Sequence, residues 1–210
     1  MLELAHHHQF SVQCGQLACV YFDMVTREYT DYSEEVMRLV GATCLMLASK
    51  FVEVVALSPD WVSGICGRTV GAEGVKNVEL RILLQLDFHL DQPTAAEVIN
   101  LVLSMSAPGH DFSRLIETSH AYSSACYPSE KLHQYGPIAI GLAAVCCALE
   151  QRNLYEFRNQ WLSLVLDKTN VKRETVLELS LKIKSQLKDL YGSDAETECG
   201  SPELARTHSV

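Results

Sequence analysis

The chain has 210 residues, 48% of them apolar, and a formal net charge of −9 from 17 basic and 26 acidic side chains. That length and apolar content can bury one large core or two smaller ones. The acidic balance, with no basic run or basic helix face, argues against nucleic acid as a partner, because neutralising phosphates needs clustered Lys and Arg.

Helical periodicity dominates, and alternating strand patterns are nearly absent. Gln13 to Glu28 is predicted as a first complete helix with Leu17, Val20, Tyr21 and Met24 on one face. Ser33 then offers a cap ahead of an acidic first turn, Glu34-Glu35, which suits the positive end of a helix. The helix it opens runs to about Glu53, with Val36, Leu39, Val40, Thr43, Cys44, Leu47 and Phe51 at i, i+3, i+4 spacing. Gly41, Ala42 and Ala48 lie on its other faces, and a helix apolar on several sides is one surrounded by other helices. Ser58-Pro59 begins a short helix, serine at the cap and proline at the first position. After Gly64, Gly67 and Gly71, a helix over about Ala72 to Asp87 buries Val75, Val78, Ile82, Leu83 and Leu86.

Asp91-Gln92-Pro93-Thr94 is the clearest break, since proline forces its predecessor extended and Thr94 can cap a helix starting at Ala95. Beyond it the pattern predicts helices near 95–106, 111–125, 135–152, 156–167 and 171–190. The middle one again mixes small and large apolar residues all round, from Gly136 to Val145. Two halves of about five helices thus repeat one plan, as tandem domains over residues 1–92 and 93–191. From about Gly192 the chain turns polar and cannot bury enough to offset its ordering entropy, so 192–210 is expected to be a disordered tail.

Signals for chemistry are few. The eight cysteines contain no CxxC pair, and the adjacent Cys146 and Cys147 suit neither a zinc knuckle nor a structural bridge. They are expected to be free thiols in a reducing, intracellular compartment. Met1-Leu2-Glu3-Leu4-Ala5 lacks the basic region and long apolar stretch of a secretory signal, and the run Ile138 to Leu149 is too short to span a bilayer, so no membrane partner is expected. His6-His7-His8 points its rings in different directions without a further ligand pattern, so no metal is expected, and no phosphate loop, Gly-x-Ser-x-Gly elbow or HExxH motif calls for a cofactor or catalysis. Ser201-Pro202 is a minimal proline-directed phosphorylation site.

Three segments carry a family resemblance. Leu17-Ala18-Cys19-Val20-Tyr21-Phe22-Asp23 resembles the second helix of a cyclin box, and Leu39 to Phe51, ending Leu47-Ala48-Ser49-Lys50-Phe51, its central third helix. Val78 to Leu90, followed by Gln92-Pro93-Thr94, resembles the fifth helix and exit of the same box. The match covers roughly residues 3–105; the second half is similar in layout alone. The resemblance implies an all-α cyclin fold of two tandem five-helix repeats. It also implies a non-enzymatic regulatory subunit that binds and activates a cyclin-dependent protein kinase in cell-cycle control, in the nucleus or cytoplasm, with protein substrates or inhibitors as further partners. Lys50 and Glu79 then stand where cyclins grip the mobile regulatory helix of the kinase, and Leu47, Phe51, Glu53, Val54, Leu83, Phe88 and Leu90 where they place the surrounding contact surface.

The residues alone leave alternatives open. Lys50 and Glu79 can pair with each other on the surface, and some of the apolar residues can be ordinary core. Two other readings are a cyclin-fold transcription-associated factor and a scaffold that does not activate a kinase. The chain also departs from the family pattern. Val52 stands for the first of two acidic residues, Val55-Ala56-Leu57 for a tyrosine-proline-proline turn, and Arg38 for a glutamine that helps line a substrate-docking patch. Glu3-Leu4-Ala5 resembles only the last turn of the first box helix, so that helix is expected to be truncated.

Overall fold

A computed structural model describes residues 1–27, 33–106 and 112–191. Those residues form α-helices joined by turns, with no strand among them. The chain divides into two compact units between Thr94 and Ala95. The expected tail and Ser201 lie outside the described residues.

The first unit comprises α1 (Leu2–His7), α2 (Val12–Thr26), α3 (Glu34–Val52), α4 (Pro59–Ile65) and α5 (Ala72–Gln85). Three of these begin at serine caps. The hydroxyls of Ser11, Ser33 and Ser58 accept the N–H groups of Cys14, Val36 and Trp61, donors that the first helical turn leaves unpaired. α3 is the centre of the unit. Every residue from Val40 to Ser49 is buried, with α2, α4 and α5 packed around it. Its small residues make that possible, since a helix enclosed on all sides has no face to spare for bulk. Tyr21 donates its hydroxyl to the Leu90 carbonyl at 2.6 Å, and Gln85 donates to the Val25 carbonyl at 2.7 Å, tying α2 to both ends of the α5 exit.

The second unit contains α6 (Ala95–Ser106), α7 (Ser113–Ser124), α8 (Glu130–His133), α9 (Pro137–Gln151), α10 (Tyr155–Leu166) and α11 (Arg173–Tyr191). Here α9 is the enclosed helix, buried continuously from Ala139 to Leu149, and α6, α7, α10 and α11 surround it. α6 comes close to α9 at Gly141. A Cβ built there would lie 2.8 Å from Val98 Cγ1, 2.9 Å from Val98 Cβ and 3.2 Å from the Ala95 carbonyl oxygen of α6. Gly141→Ala is therefore expected to destabilise the protein by about 1–3 kcal/mol through overpacking, despite the helix propensity that alanine adds. Gly64, where a Cβ meets nothing within 4 Å, makes the control: Gly64→Ala is expected to raise stability by about 0.5 kcal/mol. Urea unfolding of the two variants should move in opposite directions.

The seven cysteines described are all free. Burial pushes the thiols of Cys14, Cys126 and Cys146 up to about 12, and that of Cys147 well above its ordinary value, so these groups stay protonated and act as small apolar side chains. No helix among the described residues is long and apolar enough to cross a membrane. Within the same residues no three His, Cys, Asp or Glu side chains gather to hold a metal. His8 packs instead between Phe10, at 5.6 Å between ring centres, and Trp61, at 4.9 Å.

Candidate partner-binding surface

Lys50 lies in the last turn of α3 and Glu79 in the middle of α5. The fold brings them together: Lys50 Nζ donates to Glu79 Oε1 at 2.6 Å. The lysine side chain remains 38% exposed and the carboxylate 14%, so the pair sits at the surface with the lysine outermost. Such a pair at a helix C-terminus also favours the cation there. One of the sequence readings, that the two pair within the fold, is thus what the geometry shows, and it leaves Lys50 accessible.

Exposed apolar side chains lie near the pair along the chain. Phe51 follows Lys50 and is half exposed, and just past the helix end Val54 is fully and Val55 largely open to solvent. On α5, Leu83 stands one turn on from Glu79 on the same face and packs partly on the core, while Leu80 and Leu84, one turn apart on a neighbouring face, are more than half exposed. Phe88 is also more than half exposed, and Leu90 is partly buried. Single exposed apolar residues are normal on a protein surface, and these are close together along two segments of the chain.

The end of α5 is unusual. Asp87 N–H bonds the Leu84 carbonyl and Phe88 N–H the Leu83 carbonyl, the hydrogen-bond pattern of a Schellman ending. That ending normally uses glycine, yet Asp87 has φ 50° and Phe88 φ 57°. An aromatic residue in the left-handed region costs on the order of 1–3 kcal/mol. The strain is held at a residue whose ring faces solvent.

The other residues singled out in the sequence fall as follows. Leu47 is 4% exposed and belongs to the core. Glu53 caps the end of α3, and its Oε1 accepts both the backbone N–H of Ser11, at 2.8 Å, and its hydroxyl, at 2.7 Å. Arg38 pairs with Glu34 one turn earlier at 2.8 Å. Sequence reasoning passed over Leu80 and Leu84. Their signal was present, as two leucines off the Val75–Ile82–Leu86 stripe that fills the core.

A model of the family "Cyclin, N-terminal domain" matches residues 1–91. Curated proteins similar to this chain include the G1/S-specific cyclin-D1 of Rattus norvegicus, 24% identical over 156 residues that make up 73% of this chain and 52% of that protein. The cyclin-D1 of Xenopus laevis is 24% identical over 79% of this chain and 58% of its own length. A putative cyclin-F1-2 of Oryza sativa subsp. japonica is 25% identical over 72% of this chain and 43% of its own length. The chain spans about half the length of the curated relatives it matches. Among solved structures, a viral cyclin from Herpesvirus saimiri has a similar fold, with a TM-score of 0.75 and 14% identity over 91% of this chain and 82% of that one. A chain of the CAK complex from Chaetomium thermophilum bound to ATP-gamma-S gives a TM-score of 0.58 and 14% identity over 97% of this chain and 64% of that one.

Proposed function

We propose, from the match of residues 1–91 to the cyclin N-terminal domain, that the chain is a cyclin-family regulatory subunit that binds a cyclin-dependent serine/threonine protein kinase and activates it in cell-cycle control. The observation that carries this reading is the surface pair Lys50–Glu79, at the two positions where cyclins grip the kinase, with exposed apolar residues on the same two helices and just past their ends. Exposed Phe51, Val54, Leu80, Leu84 and Phe88 lose water-facing area when a partner covers them, and the strained Phe88 is held in place before the partner arrives. Lys50, outermost of the pair, supplies donors to carbonyl or carboxylate groups at the end of a partner helix.

Activation requires more than contact. A partner shifts a two-state kinase only by binding one state better than the other. The favoured state here is the one in which the regulatory helix of the kinase is turned in, so that its glutamate pairs with the catalytic lysine. The cyclin itself performs no chemistry in this scheme and works in the nucleus or cytoplasm.

The test is a panel of purified cyclin-dependent kinases mixed with the purified chain. A stable complex with at least one kinase, together with faster phosphorylation of a peptide substrate, is the expected outcome. A folded chain that binds none of them overturns the proposal. A complex with no gain in activity replaces the activator with a scaffold.

A further inference from the structure

The clasp between Ser11 and Glu53 has a form usually seen within one helix. In a capping box, the serine at the cap accepts an N–H from the third helical residue, and a glutamate at that third position reaches back to the N–H of the cap. α2 has the first half: Ser11 Oγ accepts from Cys14 N–H at 3.2 Å. The third residue is Cys14, which is buried and cannot make the return bond. Glu53 makes it instead, from 42 residues along the chain, and takes the serine hydroxyl as well. A carboxylate at this place is favourable, because it accepts charge-assisted bonds at the positive end of α2.

The consequence falls on the other end of the link. Glu53 is the residue at which α3 turns into extended chain, with φ −95° and ψ 153°. Four residues on, Leu57 is buried, and its N–H bonds the hydroxyl of Ser49, which itself donates to the Met46 carbonyl. Val54, Val55 and Ala56 are thus exposed apolar residues strung between two fixed points. Left free, such a segment would have to be ordered on binding and would lose affinity to conformational entropy.

We propose that Glu53 is a positioning residue, which completes the cap of α2 and so holds Val54–Ala56 in place beside Lys50 for the partner, rather than a residue that touches the partner. This deepens the kinase-binding reading and rests on it for the identity of the partner.

The test uses pairs of variants matched in all but one property. Asp and Asn cap helices as well as Ser. Ser11→Asn keeps a donor for Glu53, whereas Ser11→Asp keeps the cap and sets a second carboxylate against it. Likewise Glu53→Gln keeps the acceptor and loses the charge, while Glu53→Ala loses both. Two measurements are made on the full chain, hydrogen exchange at the Ser11 and Leu57 amides and affinity for a cyclin-dependent kinase from the panel. Ser11→Asp and Glu53→Ala are expected to speed exchange and to weaken binding by about tenfold, with Ser11→Asn and Glu53→Gln close to the unaltered chain. If Glu53→Gln binds as poorly as Glu53→Ala, the charge touches the partner and the proposal is wrong. Faster exchange with unchanged affinity also overturns the positioning role. Exchange that stays slow in Ser11→Asp removes the clasp without reference to any partner. A failure of the unaltered chain to bind kinases is a separate outcome, which counts against the kinase reading.

Discussion

Lys50→Ala and Glu79→Ala are each expected to weaken kinase binding by about a hundredfold, since truncating one member of a desolvated interfacial charge pair costs about 2–5 kcal/mol. The effect on folding should be much smaller. The pair is partly exposed, and exposed pairs contribute about 0.2–1 kcal/mol. Because Lys50 and Glu79 also bond each other, loss of binding in single variants does not by itself distinguish a contact from a structural pair. The exchanged variant Lys50→Glu/Glu79→Lys does. It can rebuild the bond between α3 and α5 but presents the opposite pattern of charge. Stability, read by urea unfolding, should return to near that of the unaltered chain, while binding should stay lost. If the exchanged protein binds a kinase normally, the pair serves the fold alone.

Glu150→Ala is expected to destabilise the second unit by about 3 kcal/mol, the lower end of what breaking a buried ion pair costs. Glu150 lies near the end of α9, where a negative charge opposes the helix dipole. Two cations offset this. Arg158 of α10 and Lys184 of α11 both donate to its carboxylate, and all three side chains are mostly buried. Arg158 is further fixed by the Asn159 amide oxygen and lies over the Tyr155 ring. Removing the carboxylate leaves two shielded cations facing each other with their shared counter-charge gone. For a unit of this size the loss corresponds to a fall in melting temperature of about 10–20 °C. Replacing the whole group is a different matter. Glu150→Leu/Arg158→Met/Lys184→Met should recover most of the stability, because a well-packed apolar cluster avoids the desolvation that a buried charge network incurs. A single Glu150→Ala variant that melts with the unaltered chain would show that water reaches the group freely.

How much of this could be read from the chain depends on the range over which each signal acts. The helix starts at Ser33 and Ser58-Pro59 were legible because a cap, its acidic or proline neighbour and the first apolar positions lie within a few residues of one another. The enclosed helices α3 and α9 were legible from small residues on every face. α8 was not, since four residues hold too little of a helical period to stand out. Lys50 and Glu79 were paired through a resemblance, and no local pattern could have joined residues 29 apart.

What an apolar or charged side chain does was decided later, by which neighbours cover it. Leu47 and Phe51 share one face of α3, yet the helix end leaves Phe51 half exposed while Leu47 is enclosed. Glu53 looked like part of a surface until the fold set it against the first turn of α2. Periodicity and capping are interactions between near neighbours in the chain, so the sequence by itself determined the longer helices and their order. The partner of a carboxylate and the exposure of a leucine are properties of packing between distant segments, and those the tertiary structure alone could decide.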